Sequence, residues 1–219
     1  MNKLRHQLYQ LETLDMDEYN KYDIPKIIHD ETQTFGIQYQ LSRTMEEIAE
    51  LIEQIMKFKT NGFVDKLPII EEIIDCIYMT FVLRDIYTTT TGHPYIPSSD
   101  DILESHIKNP DILSNIILDN CIQNLSIIIQ KISKISRGKY ALEEEIHDIL
   151  AMIFGNIKII SEIFNIKLPK NLYLNYELYQ DLFQFKILEY DELCGGELLL
   201  LKLQRSKTRV GKDEIDKSE

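Results

Sequence analysis

From Leu67 to Tyr87 the chain is apolar on almost every side of a helix, yet two carboxylates are set among those apolar residues. At about 100° per residue, Ile70, Ile73, Ile74, Ile77 and Phe81 form one stripe. Cys76, Met79 and Leu83 share the opposite sector with Glu72 and Asp75. A helix that is apolar all round is a buried helix, so this segment demands neighbours on several sides. Its acids demand compensation, because a buried carboxylate without a partner costs on the order of several kcal/mol or takes up a proton.

The preceding helical stretch carries a milder form of the same signal. Leu41, Met45, Ile48, Leu51, Ile52 and Ile55 make its core stripe, Glu47 sits on the edge of that stripe, and Glu50 lies one turn along on the same flank. Glu46 and Glu53 project to the opposite, solvated side. Residues three apart on a helix are surface neighbours, so Glu47-x-x-Glu50 and Glu72-x-x-Asp75 can each offer oxygen ligands to one hard divalent cation. Two such helices packed together would gather four carboxylates. An arbitrary Glu-x-x-Glu is more often the wet face of an amphipathic helix; the apolar surroundings are what point to a metal here.

Composition narrows the partners. The chain has 219 residues, 44% of them hydrophobic, and a formal net charge of −12. Such an acid excess argues against nonspecific binding of nucleic acid, which depends on Lys and Arg neutralising phosphates. An anionic ligand would therefore require a metal as mediator. Cys76, Cys121 and Cys194 are far apart and lack metal-ligand spacing, which predicts buried, reduced thiols. Residues 1–12 carry charges early and contain no signal-peptide core. No run approaches the roughly 18 apolar residues of a membrane span. These features predict a cytoplasmic protein that engages no membrane.

The helical period organises the rest into an all-α antiparallel bundle. Residues 1–34 read as an acidic leader in which Pro25 marks a helix start. A first long helix is expected from about residue 30 or 40 to Phe58, stopped by Lys59-Thr60-Asn61-Gly62, and a second from Leu67-Pro68 to about Tyr87. Thr88 to Pro94 is a loop, and Ser98 or Ser99 would cap a short helix. Further helices are expected from Pro110 to Gly138, from Ala141 to about Ile166, and over 172–190. Leu198 to Leu203 fits a strand or a docking helix, and the charged tail from Ser206 lacks apolar period. The segments are thus a leader (1–34), a metal-binding helix pair with its loop (35–97), a second helical half of the same bundle (98–190) and a C-terminal extension (191–219).

The second half echoes the first. Glu144-Glu145-Ile146-His147-Asp148 matches Glu71-Glu72-Ile73-Ile74-Asp75 at an offset of 73, and at that offset Met152 stands opposite Met79 and Phe154 opposite Phe81. The counterparts of Glu47 and Glu50 fall around Gln123 to Ile127, where there is no acid. The echo predicts a degenerate internal repeat of a two-helix unit, with Glu145 and Asp148 as weak site candidates; convergence on a common helix pattern is the alternative.

Three runs, Phe35-Gly36-Ile37-Gln38-Tyr39-Gln40-Leu41, Glu46-Glu47-Ile48-Ala49-Glu50-Leu51 and Glu71-Glu72-Ile73-Ile74-Asp75, resemble the all-α nucleoside triphosphate pyrophosphohydrolases. These are the MazG-like proteins and their relatives the dimeric dUTPases, whose hallmark is Glu-Glu-x-x-Glu followed by Glu-x-x-Asp. The resemblance covers about residues 35–87. It implies a MazG-like bundle in which Glu47, Glu50, Glu72 and Asp75 bind Mg²⁺, with Mn²⁺ as a substitute. It further implies a nucleoside triphosphate substrate, cleaved to a nucleoside monophosphate and pyrophosphate, with Glu46, or a metal-bound water oriented by one of the four ligands, as general base, and an assembly of two or four copies, of which a homodimer is the preferred reading. Gln40, Lys57, Lys59 and Arg84 are the candidate substrate contacts, and Phe35, Tyr39 or Tyr78 would stack on the base. The chain departs from the pattern in lacking a clear downstream Lys-Asn and Arg signature, and in having no Trp. The rival reading is a helical bundle that has lost activity and serves as a protein-binding or regulatory module. A di-iron carboxylate bundle is disfavoured because Glu144-x-x-His147 is its sole Glu-x-x-His element.

Overall fold

Asp23 and Gly36 set the limits of the first helix in the computed structural model, which describes residues 23–61, 67–95, 110–164, 166 and 210. The Asp23 side chain accepts a hydrogen bond from the Lys26 backbone N–H at 3.1 Å, Pro25 sits in the first turn, and helix α1 runs Ile24–Phe35. Gly36 then takes a left-handed φ of 81°. That conformation, open to glycine without strain, splits what the periodicity predicts as one helix beginning near residue 30. Helix α2 (Ile37–Asn61) follows, and α3 (Leu67–Thr91) extends a turn beyond the expected end at Tyr87. Helix α4 (Pro110–Ser136) and helix α5 (Leu142–Ile163) complete the described fold. The predicted cap at Ser98 or Ser99, the 172–190 helix, the 198–203 segment, Cys194 and the tail lie outside the described residues.

Cross-helix contacts fix the directions. Ser136 of α4 donates to the Gln38 side chain at the start of α2 at 2.6 Å, while Lys59 at the end of α2 pairs with Asp119 near the start of α4. These two helices are therefore antiparallel. On α3 and α5, Tyr87 meets His147 and Arg84 meets Phe154, again in opposite senses. The principal packing partners form a ring in which α2 touches α3 and α4, and α5 touches α3 and α4. Each helix is antiparallel to both ring neighbours, and α3 ends and α4 begins at opposite ends of the bundle. Helix α1 lies against α3 and α2.

Helix α3 has α1, α2 and α5 as neighbours, which explains why its sequence is apolar on almost every side. Ile70, Ile73, Ile77, Tyr78, Met79, Val82 and Leu83 are fully buried in it. Ile48, Leu51 and Ile55 of α2, Leu125, Ile128 and Ile132 of α4, and Ile146, Leu150, Ile157 and Ile160 of α5 close around the same core. Ile27 and Ile28 of α1 join it, so the packed body begins within the segment expected to be a leader. Cys76 and Cys121 are buried and outside any disulfide among the described residues, as expected, and burial pushes the Cys121 thiol up to about 11. Among the described residues no helix is long and apolar enough to cross a membrane.

Truncating Ile73, which is wholly enclosed, should lower stability by about 2–5 kcal/mol in urea unfolding followed by circular dichroism. Glu53→Ala, on the solvated side of α2, should stay within about 0.5 kcal/mol of the parent.

Candidate metal centre

Helices α2 and α3 run past each other so that one turn of α2 faces the first turns of α3. The Cys76 thiol of α3 donates to the Glu47 backbone carbonyl at 3.7 Å, which fixes that register. Glu47 and Glu50, one turn apart on α2, then meet Glu72 of α3, and one carboxylate oxygen from each lies within 4.8 Å of the other two. Glu47 is buried, Glu72 half-buried and Glu50 exposed, so the group runs from the interior to the surface. Three like charges this close repel, and a divalent cation with a preference for oxygen ligands would turn that repulsion into coordination. Asp75, half-buried one turn along α3 from Glu72, falls outside the 4.8 Å group.

The other predicted residues are dispersed. Glu46 is exposed on α2, four residues before Glu50 and hence its neighbour on the helix surface. Lys57 pairs with Glu53 at 2.6 Å on the solvated face, and Lys59 is engaged by Asp119 of α4. Arg84 is buried with its guanidinium over the Tyr95 ring at 5.2 Å and the Phe154 ring at 5.1 Å. It stands twelve residues along α3 from Glu72, about 18 Å by helical rise. Of the three candidate stacking rings, Tyr78 is fully buried, while Phe35 and Tyr39 pack on each other with centroids 5.1 Å apart. Gln40 is completely buried two turns before Glu47, and neither its amide nitrogen nor its amide oxygen has a hydrogen-bond partner among the described residues.

Two residues that matter to this site, Glu31 and Arg43, were not anticipated. Glu31 of α1, fully enclosed, takes the Arg43 Nη1 at 2.6 Å on one oxygen and the Tyr78 hydroxyl on the other. Arg43 also brings its Nε to 3.4 Å from Glu47 and lies over the Tyr78 ring at 5.6 Å. Burial works against the Arg43 charge, but Glu31 foremost, with Tyr78, Glu47 and Tyr39, outweighs it and holds the guanidinium's pKa above its ordinary value. The sequence does hold a trace of this lane: Gln40, Arg43, Thr44 and Glu47 recur at helical spacing beside the apolar stripe, and all four are buried.

In the other half, Glu145 and Asp148 do not gather into a carboxylate cluster. Lys131 of α4 reaches across to Glu145 at 2.5 Å and to Asp148 at 3.2 Å. The hydrogen bond to Glu145 raises the Lys131 pKa, partial burial opposes it, and Asp148 adds to the rise. A side-chain cation there satisfies the two acids.

Comparison of the chain with protein-family models, with curated proteins and with solved structures finds no match in any of the three.

A lysine whose folded pKa is raised contributes stability that is fully present below its unfolded value near 10.5 and is lost as pH climbs through the folded value. Lys131→Met should therefore be less stable than the parent at neutral pH, and the difference should shrink in urea titrations carried above pH 10.5.

Proposed function

We propose that this protein is a Mg²⁺-dependent nucleoside triphosphate pyrophosphohydrolase that converts a (d)NTP to the corresponding monophosphate and pyrophosphate. The observation that carries the reading is the convergence of Glu47, Glu50 and Glu72 from two helices onto one volume 4.8 Å across, grading from buried to exposed. Oxygen donors of this kind suit Mg²⁺ or Mn²⁺, and an open, solvent-side ligand such as Glu50 leaves room for phosphate oxygens. Asp75, one turn from Glu72, is the fourth proposed ligand.

Bound Mg²⁺ would supply charge neutralisation for the triphosphate, which a chain with so large an excess of acidic side chains is poorly placed to supply itself. The protein's part is positioning. In this reading Glu47 and Glu72 would hold the inner side of the site, Glu50 would complete it at the surface, and Glu46, exposed one turn before Glu50, would accept the proton of the attacking water. Bond formation to the α-phosphorus and departure of pyrophosphate follow in line. Gln40 is the best-supported substrate contact, since among the described residues its enclosed amide has both a donor and an acceptor unmet. Lys57, Lys59 and Arg84 would each have to leave an existing partner to reach a phosphate.

The bundle supports a duplicated origin for the two helix pairs in a MazG-like arrangement. Ile37 of α2 and Pro110 of α4 are separated by the same 73 residues that align the two acidic motifs. The ring of neighbours, α2 with α4 and α3 with α5, is also what a hairpin packed on its own copy would give. Applied strictly, that offset places Asn120 and Gln123, at or slightly before the start of the 123–127 stretch expected, where the first half has Glu47 and Glu50, so of the four proposed metal ligands the second half keeps only the two acids on α5. An internal pair could meet the need for a second helix pair, and a homodimer would add to it through the outer faces.

Pyrophosphate release from a panel of NTPs and dNTPs should depend on Mg²⁺ and yield the monophosphate. Glu50→Ala and Asp75→Ala should each lower turnover by at least the roughly 10–100-fold that loss of a metal's outer partner causes. Activity that ignores both substitutions removes the assigned site, and no turnover on any nucleotide favours the protein-binding module.

A further inference from the structure

Arg43 is shared unequally between two carboxylates. Its Nη1 is 2.6 Å from Glu31, whereas its Nε stands 3.4 Å from Glu47, one turn along the same helix. Glu31 is itself held, because the Tyr78 hydroxyl donates to its second oxygen. All four side chains are buried, so their mutual attractions are weakly screened. Glu47 is at the same time the innermost member of the three-carboxylate group.

An arginine facing a carboxylate prefers the two-bond fork, in which both oxygens are occupied. A fork on Glu47 would take up the lone pairs that a cation needs and set a positive charge beside it. Glu31, anchored by Tyr78 from a different helix, draws the guanidinium the other way. We propose that Glu31 and Arg43 are positioning residues for the cation site: Glu31 keeps the guanidinium off the Glu47 carboxylate, which Arg43 then steadies from one side only. The docking of α1 is thereby coupled to the metal affinity of α2 and α3. This inference rests on the metal-binding reading of Glu47, Glu50 and Glu72.

Mn²⁺ titration of the full chain, followed by electron paramagnetic resonance, tests it in a double-mutant cycle. Glu31→Gln should weaken Mn²⁺ binding by about 10-fold or more in the parent. In an Arg43→Met background the same change should alter it by less than about 2-fold, since its effect is transmitted through Arg43. Equal losses in both backgrounds, or no loss in the parent, overturn the proposal. Glu72→Ala is the separate control: if it binds Mn²⁺ as the parent does, the metal site itself is wrong, and the positioning role falls with it. If Arg43→Met fails to fold because Glu31 is left buried without its counter-ion, the crystal structure of Glu31→Gln decides. Arg43 closed onto both oxygens of Glu47 supports the proposal, and Arg43 unmoved overturns it.

Discussion

Enclosure of α3 by three other helices is the constraint on which the architecture depends. A helix buried on the sides of α1, α2 and α5 has little surface left for polar groups; Glu72 lies where α2 passes its first turns, and Asp85, further along, faces His29 of α1. That placement brings Glu72 up against Glu47 and Glu50. Burying many Ile side chains, each worth about 1.5–3 kcal/mol, provides the driving force that holds three carboxylates in mutual range. The acid cluster is a consequence of packing that the core can sustain.

Much of this was legible in the sequence, and the reasons are local. Helix α3 declared itself because no amphipathic surface helix is apolar all round, and Pro68 and Pro110 mark helix starts by the same fixed-φ argument. Glu47 and Glu50 were legible because three-residue spacing determines a shared face before any tertiary contact forms. The helix break at Gly36 was missed because periodicity continues across it; one backbone conformation, and no change of side-chain pattern, separates α1 from α2.

Arg43 was not legible for a different reason. A single arginine on an amphipathic helix reads as solvated, and only the position of Glu31 on a separate helix makes it an interior residue. The predicted core stripe of α2, centred on Ile48 and Ile52, is also too narrow. The buried face turns further, through Gln40, Arg43, Thr44 and Glu47, because α1 and α3 together cover more of α2 than one neighbour would. Lys131 was hidden by the comparison of the two halves itself: aligning Glu145 and Asp148 with Glu72 and Asp75 compares acids with acids, while the cation that answers them comes from the facing helix.

The two seams thus deal with similar pairs of acids by different means. On α4 and α5, where the counterparts of Glu47 and Glu50 are uncharged, two carboxylates remain and one lysine ammonium bridges them. On α2 and α3 three carboxylates gather and the nearby guanidinium is drawn mainly to Glu31. A lysine is a permanent counter-ion with a fixed tether, and it admits no phosphate between itself and its acids. In the proposed reading, an exchangeable divalent ion on the three carboxylates would instead offset most of their charge and leave coordination positions open for phosphate oxygens. In the proposed duplication, loss of the two α4 acids and capture of the remaining pair by Lys131 would convert a ligand-binding seam into a purely structural one, leaving the chemistry to the half in which packing still concentrates negative charge.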